Sequence, residues 1–243
     1  MTLLRHALPL LLAAATLHAG DMDLYLIGSN LSPRSEAREG TLDPATGDRL
    51  GKTIIRGGDA RQVGLGAAFT LLSPGDWRVK AGVEYTIGAS DTDLSLRYLR
   101  FQGFSEYSAA TDGKVSTRAL TPLLSLVYVS SGAGEYGISY EHHFTNLDYK
   151  VSRNVVVNGS TVPPNAARTL SKSVGDPFLS VHATFVQRYR SLGFFARVSY
   201  GVNLASIRKL HDLTEADFLS TSSALLDLAR PKQEVKLAIG TRF

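Results

Sequence analysis

Residues 77–89, WRVKAGVEYTIGA, alternate strictly between apolar and polar side chains. The apolar positions are Trp77, Val79, Ala81, Val83, Tyr85, Ile87 and Ala89, and the intervening positions are Arg78, Lys80, Gly82, Glu84, Thr86 and Gly88. Successive side chains of a β-strand point to opposite faces, so this stretch predicts a strand with one apolar and one charged face. Similar alternation occurs at 61–72, 135–147 and 193–205, and less regularly at 23–31, 93–107, 117–129 and 176–187.

The length of these strands favours a membrane barrel. Several of them run for about 10 to 13 residues, whereas strands of globular sheets usually have about 5 to 6 residues. Tilted membrane strands need about 9 to 11 residues. The polar face carries Arg, Lys and Glu between glycines, as the lumen of a barrel does, whereas a soluble sandwich would turn the apolar face inward. The alternation alone is compatible with a membrane barrel and with a soluble sandwich. The sequences at the two ends of the chain favour the membrane barrel.

The first 19 residues, MTLLRHALPLLLAAATLHA, have the features of a secretory signal peptide. Arg5 supplies the positive n-region, residues 7–17 form a short apolar region, and Ala19 is small enough for cleavage. We therefore expect cleavage near Ala19 and a single barrel domain over 20–243. After residue 19, no apolar run approaches the roughly 20 residues of a spanning helix.

The last ten residues, EVKLAIGTRF, end an alternating strand on an aromatic residue. Val235, Leu237, Ile239 and Phe243 lie on its apolar face. This ending resembles the assembly signal of Gram-negative outer-membrane β-barrels. The resemblance implies a cell outer membrane location and recognition of this strand by the barrel-assembly machinery. The predicted fold is all-β, a closed antiparallel up-and-down transmembrane β-barrel.

The strand count of such a barrel should be even, because both termini stay in the periplasm. Nine segments alternate, and residues 51–57 supply the best tenth strand. Ten strands put short periplasmic turns near 58–60, 90–92, 130–134 and 188–192, with residues 73–76 as a short outer connection. They put longer outer loops near 32–50, 108–116, 150–173 and 208–232. Eight or twelve strands remain open. In the last loop, Thr214 and Asp217 predict the cap of a short helix.

Hairpin geometry predicts neighbours in the lumen. A turn at 89–92 places Glu84 opposite Arg97, a charge pair across two strands. The turn near 188–192 places Thr184 opposite Arg197. Because a narrow barrel is filled by its own side chains, charges of both signs argue against a general porin.

A possible hydrolytic set lies on one inner wall. We expect Glu141 to face His182, and His143 to face Ser180. Serine, histidine and a carboxylate are the components of nucleophilic hydrolysis. These four residues are weak catalytic candidates, because Glu141 would lie near the middle of the membrane, where a lipid head group does not reach. A buried hydrogen-bond network is the favoured interpretation.

Composition excludes several other classes. The chain has no cysteine, so it has no disulfide, thiolate metal site or cysteine nucleophile. A formal charge of +4 without a basic stripe does not indicate nucleic-acid binding. His142 and His143 are adjacent on a strand and point to opposite faces, so no metal site is predicted there. No cofactor is predicted.

The function favoured by these patterns is a non-enzymatic outer-membrane barrel with a structural or surface-interaction role. Outer-membrane lipids are its expected surroundings, and one loop carries basic residues that would meet lipopolysaccharide phosphates. Those residues are Lys150, Arg153, Arg168 and Lys172. A narrow channel for small solutes and a lipid-directed hydrolase are the alternatives.

Overall fold

The computed structural model describes residues 21–32, 36–38, 53–56, 60–90, 95–102, 105–131, 134–157, 160–161, 168–189, 192–205, 226 and 230–243. The predicted signal peptide, 1–19, lies outside these ranges. Within them, no helix is long and apolar enough to cross a bilayer.

In the described part of the chain, eight antiparallel strands form a closed barrel. They are β1 (Met22–Ser32), β2 (Ala60–Leu72), β3 (Trp77–Ser90), β4 (Ser105–Val129), β5 (Gly134–Val157), β6 (Arg168–Tyr189), β7 (Leu192–Asn203) and β8 (Gln233–Arg242). Each strand pairs with the next one along the chain. The pairing of β1 with β8, from Asp23 opposite Arg242 to Ser32 opposite Gln233, closes the ring. The predicted up-and-down barrel is confirmed.

Four short strands lie outside this ring. They are Glu36–Arg38, Thr53–Arg56, Ser95–Gln102 and Ser160–Thr161. Ser95–Gln102 pairs with the first part of β4 and also with Thr53–Arg56, while Ser160–Thr161 pairs with the end of β5. These strands extend the sheet at the end of the barrel that lies away from the chain termini.

Apolar side chains cover the outside of the barrel, and charged side chains fill the inside. On β1, Leu26 is 64% exposed, whereas Glu84 on β3 is only 3% exposed. The alternation predicted from residues 77–89 therefore places its apolar face outward, since Tyr85 and Ile87 are exposed while Lys80 and Thr86 are buried. An exterior of this kind is typical of a protein surrounded by lipid.

The barrel has eight strands, which the predicted range included, rather than the favoured ten. The sequence predicts barrel strands at 51–57 and 93–107, but the short strands within them, Thr53–Arg56 and Ser95–Gln102, lie outside the ring. The predicted outer loop 108–116 is part of β4. Strands β5 and β6 likewise run into the predicted loop 150–173, to Val157 and from Arg168. Where a strand leaves the membrane, both of its faces can be polar, so alternation stops before the strand does.

The eight-strand ring also changes which connections lie at which end. The short connections between β2 and β3, between β4 and β5, and between β6 and β7 join strand ends that lie at the same end as Met22 and Arg242, which we call the terminal end. Ala60 pairs with both Leu31 and Ser90, so the predicted turns 58–60 and 90–92 lie at the opposite end, which we call the loop end. In the turn 73–76, Gly75 has a φ of 59°, a left-handed conformation that glycine adopts without a steric penalty.

Candidate functional site

The interior of the barrel is the candidate functional site, and its charged side chains form three groups. The terminal cluster contains Asp23, Arg78, Lys80, Glu135 and Arg242. The middle cluster contains Tyr25, Glu84, Glu141, His143, Arg197, Glu234 and Lys236. The loop-end pair is Asp176 with Arg230. All of these side chains are buried except those of Arg78, Arg197 and Arg230, which are partly buried.

Arg242 organises the terminal cluster. Its Nε donates to Asp23 Oδ1 at 2.6 Å, and its Nη2 donates to Glu135 Oε2 at 3.0 Å. Lys80 Nζ donates to the other oxygen of Asp23 at 2.7 Å, and Arg78 Nη1 donates to Glu135 Oε1 at 3.2 Å. Residues from β1, β3, β5 and β8 thus cross the lumen and meet in one ionic network. Hydrogen-bonded pairing is what makes buried charges tolerable.

Lys236 lies at the centre of the middle cluster. Its Nζ donates to Glu84 Oε2 at 2.9 Å and to Glu141 Oε2, and it lies 3.7 Å from Glu234 Oε2. Glu141 belongs to β5 and Lys236 to β8, and these strands are not neighbours in the ring. The contact between them therefore spans the lumen.

Tyr25 packs beside this group and supports Glu84. Its hydroxyl donates to Glu84 Oε1 at 3.0 Å, and the Arg197 guanidinium lies 4.5 Å from the centre of its ring. Arg197 Nη2 is also 3.5 Å from Glu84 Oε1. A Cβ added at Gly66 would collide with the Tyr25 ring, and one added at Gly240 would collide with the Tyr25 backbone and Cβ. Glycine at 66 therefore makes room for the tyrosine ring, and glycine at 240 lets β8 lie close to the β1 backbone at Leu24 and Tyr25.

The loop-end pair joins the long final connection to the wall of the barrel. Arg230 Nε lies 3.1 and 3.2 Å from the two oxygens of the buried Asp176. Leu226, four residues earlier, is completely buried. The helix predicted from Thr214 and Asp217 lies outside the described residues.

The predicted catalytic residues face inward, but they are paired differently from the prediction. His143 Nε2 lies 3.2 Å from Glu141 Oε2. His182 Nδ1 lies 3.1 Å from Ser139 Oγ, which in turn lies 2.7 Å from Ser125 Oγ. Ser180 is fully buried, and its hydroxyl has no hydrogen-bond partner among the described residues.

The register between β5 and β6 explains this difference. Glu141 lies opposite Phe178 and not His182, while His143 lies opposite Asp176 and not Ser180. The predicted register is displaced by four residues, because the sequence did not locate the turn between these long strands. A displacement by an even number leaves every side chain on its predicted face and changes only its neighbours.

The predicted lumen pair Glu84–Arg97 is wrong. Glu84 lies opposite Gly66 on β2 and Thr121 on β4. Arg97 belongs to the short strand Ser95–Gln102, where it lies opposite Ile54 and Ala110. The prediction assumed a tight hairpin at 89–92, whereas the strand that pairs with β3 begins only at Ser105.

Two other predictions about facing are confirmed. Thr184 lies opposite Arg197 across the turn at 190–191. His142 and His143 point to opposite sides of the wall. The His142 ring lies 4.5 Å from that of the exposed Phe144, while the His143 ring stacks at 4.3 Å on the buried Phe178.

One cavity inside the barrel is bordered by residues of the terminal and middle clusters. The cavity that lies between Asp23, Lys80, His182 and Arg197 has a volume of about 10 Å³. A cavity needs about 10 to 15 Å³ to hold a single water molecule. At this level the lumen is therefore filled by side chains. Among the described residues, ligand-type atoms of Glu141, His143 and Glu234 lie within 4.8 Å of one another, close enough to hold one metal ion.

A closed antiparallel barrel with an apolar exterior and an ionic interior is the architecture of the Gram-negative outer-membrane β-barrel class. No family model matches the chain, and no curated protein matches it. Among solved structures, the chain is similar to the outer membrane protein OprG from Pseudomonas aeruginosa, with 12% identity over 92% of this chain and 95% of that chain, and a TM-score of 0.38. That score is too low to show a shared fold, so the barrel assignment rests on the strand pairing of this chain.

Proposed function

We propose that this protein is an outer-membrane barrel with a closed lumen and a non-enzymatic role, either structural or in interactions at the cell surface. The observation that carries the proposal is the ionic network that crosses the lumen from β1, β3, β5, β7 and β8. A solute would have to break these buried ion pairs to pass. Open aqueous channels belong to barrels with about 16 strands or more.

The exterior supports a position in the membrane. At the terminal end, aromatic side chains near the strand ends point outward, among them Trp77, Tyr128, Tyr136, Tyr189 and Phe243. The Trp77 and Tyr128 rings pack 5.2 Å apart. Bands of aromatic residues mark the two membrane interfaces of transmembrane barrels. This band and the expected signal peptide support our proposal that the terminal end lies at the periplasmic surface.

A hydrolase is less well supported by this interior. Ser139 does contact His182, but Ser139 is buried, and the cavity that His182 lines has room for about one water molecule. A lipid ester does not reach such a hydroxyl from either membrane surface. The contact fits a structural hydrogen-bond network that fixes β4, β5 and β6 relative to one another.

The loop end supplies a surface for interactions. Strands β4, β5 and β6 have 25, 24 and 22 residues, against 10 to 14 in the other five. Their extensions beyond the membrane carry an open groove of about 280 Å³, lined by Arg118, Asn146, Leu147, Asp148, Ser171, Lys172 and Ser173. We propose that basic residues of this surface, Arg118 and Lys150 among them, attract the phosphates of lipopolysaccharide.

Two measurements test the proposal. The folded protein should fractionate with the outer membrane and migrate on gels differently before and after boiling. Purified protein in planar lipid bilayers should give no steady conductance, with a 16-stranded porin as the positive control. Recovery of the protein in the soluble periplasm would overturn the membrane assignment, and stable single-channel steps would overturn the closed lumen.

A further inference from the structure

The middle cluster carries more negative than positive charge. Its three carboxylates, Glu84, Glu141 and Glu234, meet the two cations Lys236 and Arg197. In the terminal cluster, by contrast, Asp23 and Glu135 meet three cations, which are Lys80, Arg242 and Arg78, and Arg78 also pairs with the partly exposed Asp21. Counted over these carboxylates and the ammonium and guanidinium groups, the described part of the middle cluster therefore has one more negative than positive charge. An unpaired buried charge is costly, so this cluster needs a further cation.

Glu234 is the carboxylate that lacks a satisfactory partner. Its side chain is only 2% exposed, and its Oε2 has no hydrogen bond among the described residues. His143 Nε2 lies 3.6 Å and Lys236 Nζ lies 3.7 Å from this oxygen, and both distances are too long for a hydrogen bond. Buried polar atoms are rarely left in this state, and each exception requires an explanation.

The neighbouring ligand atoms have the spacing of a metal site. Glu141 and His143 lie two residues apart on β5 and so share its inner face, while Glu234 reaches them from β8 across the lumen. His143 Nε2 is 3.2 Å from Glu141 Oε2 and 3.6 Å from Glu234 Oε2. Ligand atoms at about 2.0 to 2.1 Å from a tetrahedral ion lie about 3.4 Å apart. The two measured distances lie on either side of that value.

We propose that Glu141, His143 and Glu234 bind a divalent transition-metal cation such as Zn²⁺ inside the barrel. An imidazole with two carboxylates suits Zn²⁺ and related ions better than Ca²⁺ or Mg²⁺, which prefer oxygen ligands alone. Lys236 releases Glu141 to the ion and stays bound to Glu84, with which it already makes a 2.9 Å hydrogen bond. An anionic fourth ligand, such as chloride or hydroxide, leaves the cluster neutral. The site is independent of whether the lumen conducts solutes.

The experiment uses the full mature chain, refolded in detergent, stripped with a chelator and dialysed against Zn²⁺. We expect one zinc ion per chain by elemental analysis, an increase in Tm on zinc addition, and a tetrahedral absorption spectrum when Co²⁺ replaces Zn²⁺. Both the ion and the Tm increase should be lost in Glu234→Gln. The matched control is His142→Asn, which changes the neighbouring, outward-facing histidine and should keep the metal.

Several results would overturn the proposal. Absence of zinc from the wild-type protein above a buffer blank would show that this cluster does not bind the metal. Loss of the metal from His142→Asn as complete as its loss from Glu234→Gln would place the ion on the outer surface. Glu234→Gln removes an unpaired charge and should refold. If it does not, the Co²⁺ spectrum of the wild-type protein decides, since an octahedral spectrum contradicts the site.

Discussion

Replacing Lys236 by methionine tests the ionic network of the lumen most directly. Methionine has a similar length but no charge, so the main change is the loss of the ammonium group. Lys236 Nζ contacts Glu84 and Glu141 and lies 3.7 Å from Glu234. The variant therefore leaves three buried carboxylates with Arg197 as the remaining cation of the middle cluster among the described residues.

The expected loss is large because Lys236 is almost fully buried. Removing one partner of a buried ion pair costs about 3 to 5 kcal/mol, mainly because the other charge is left uncompensated. Since more than one carboxylate is affected, we expect a loss in the upper part of this range. Adding Glu84→Gln to Lys236→Met removes one of the uncompensated carboxylates. The double variant should therefore recover about 1 to 3 kcal/mol of the free energy of unfolding.

The free energy of unfolding can be measured by denaturant titration of the refolded barrel in detergent micelles. Trp77 is the single tryptophan of the chain and lies on the outer face of β3, so its fluorescence reports on the loss of the barrel. Lys232→Met is the control, because Lys232 is exposed, and it should change the stability by less than about 0.5 kcal/mol. If Lys236→Met is equally mild, or if the double variant is strictly additive, the ionic network does not stabilise the barrel as argued.

Two further substitutions separate assembly from packing. Phe243→Asp should lower the amount of protein in the outer membrane several-fold while leaving the stability of the refolded barrel nearly unchanged. Phe194→Asp, an outward-facing control, should affect assembly much less, and equal losses would refute a terminal signal. Gly240→Ala should destabilise the barrel by about 1 to 3 kcal/mol in denaturant titration, because its Cβ would lie 2.5 Å from Tyr25 Cβ. Gly28→Ala should be neutral, because its Cβ would meet open space, and equal effects of the two would contradict the packing argument.

The sequence predicted which residues of the candidate site face inward. It did not predict which of them form hydrogen bonds and ion pairs with one another. The alternation placed Glu84, Glu141, His143 and His182 on inner faces, and the structure agrees. It did not identify Lys236 as their central partner, although the same alternation put Lys236 on the polar face of the last strand. The presence of Lys236 and Glu234 together on the polar face of the last strand could have indicated this role for Lys236.

The contact between His143 and Glu234 likewise depends on the tertiary structure. Sequence reasoning correctly separated His142 from His143, because adjacent strand residues face opposite ways. Local sequence patterns relate a residue only to its neighbours along the chain and on the adjacent strand. Glu234 approaches His143 from across the lumen, 91 positions further along the chain, and no local pattern indicates such a contact.

The sequence by itself determined which face of each strand is inside, because the period of two is a local property of the chain and survives any even shift in register. It also determined that the strands form a barrel with a charged interior. Only the tertiary structure decided the strand number, the register and the contacts across the lumen. These depend on where each turn begins and on how the ring closes between β1 and β8. Strand ends outside the membrane lack the alternation of apolar and polar residues. The sequence pattern therefore does not indicate where these strand ends pair.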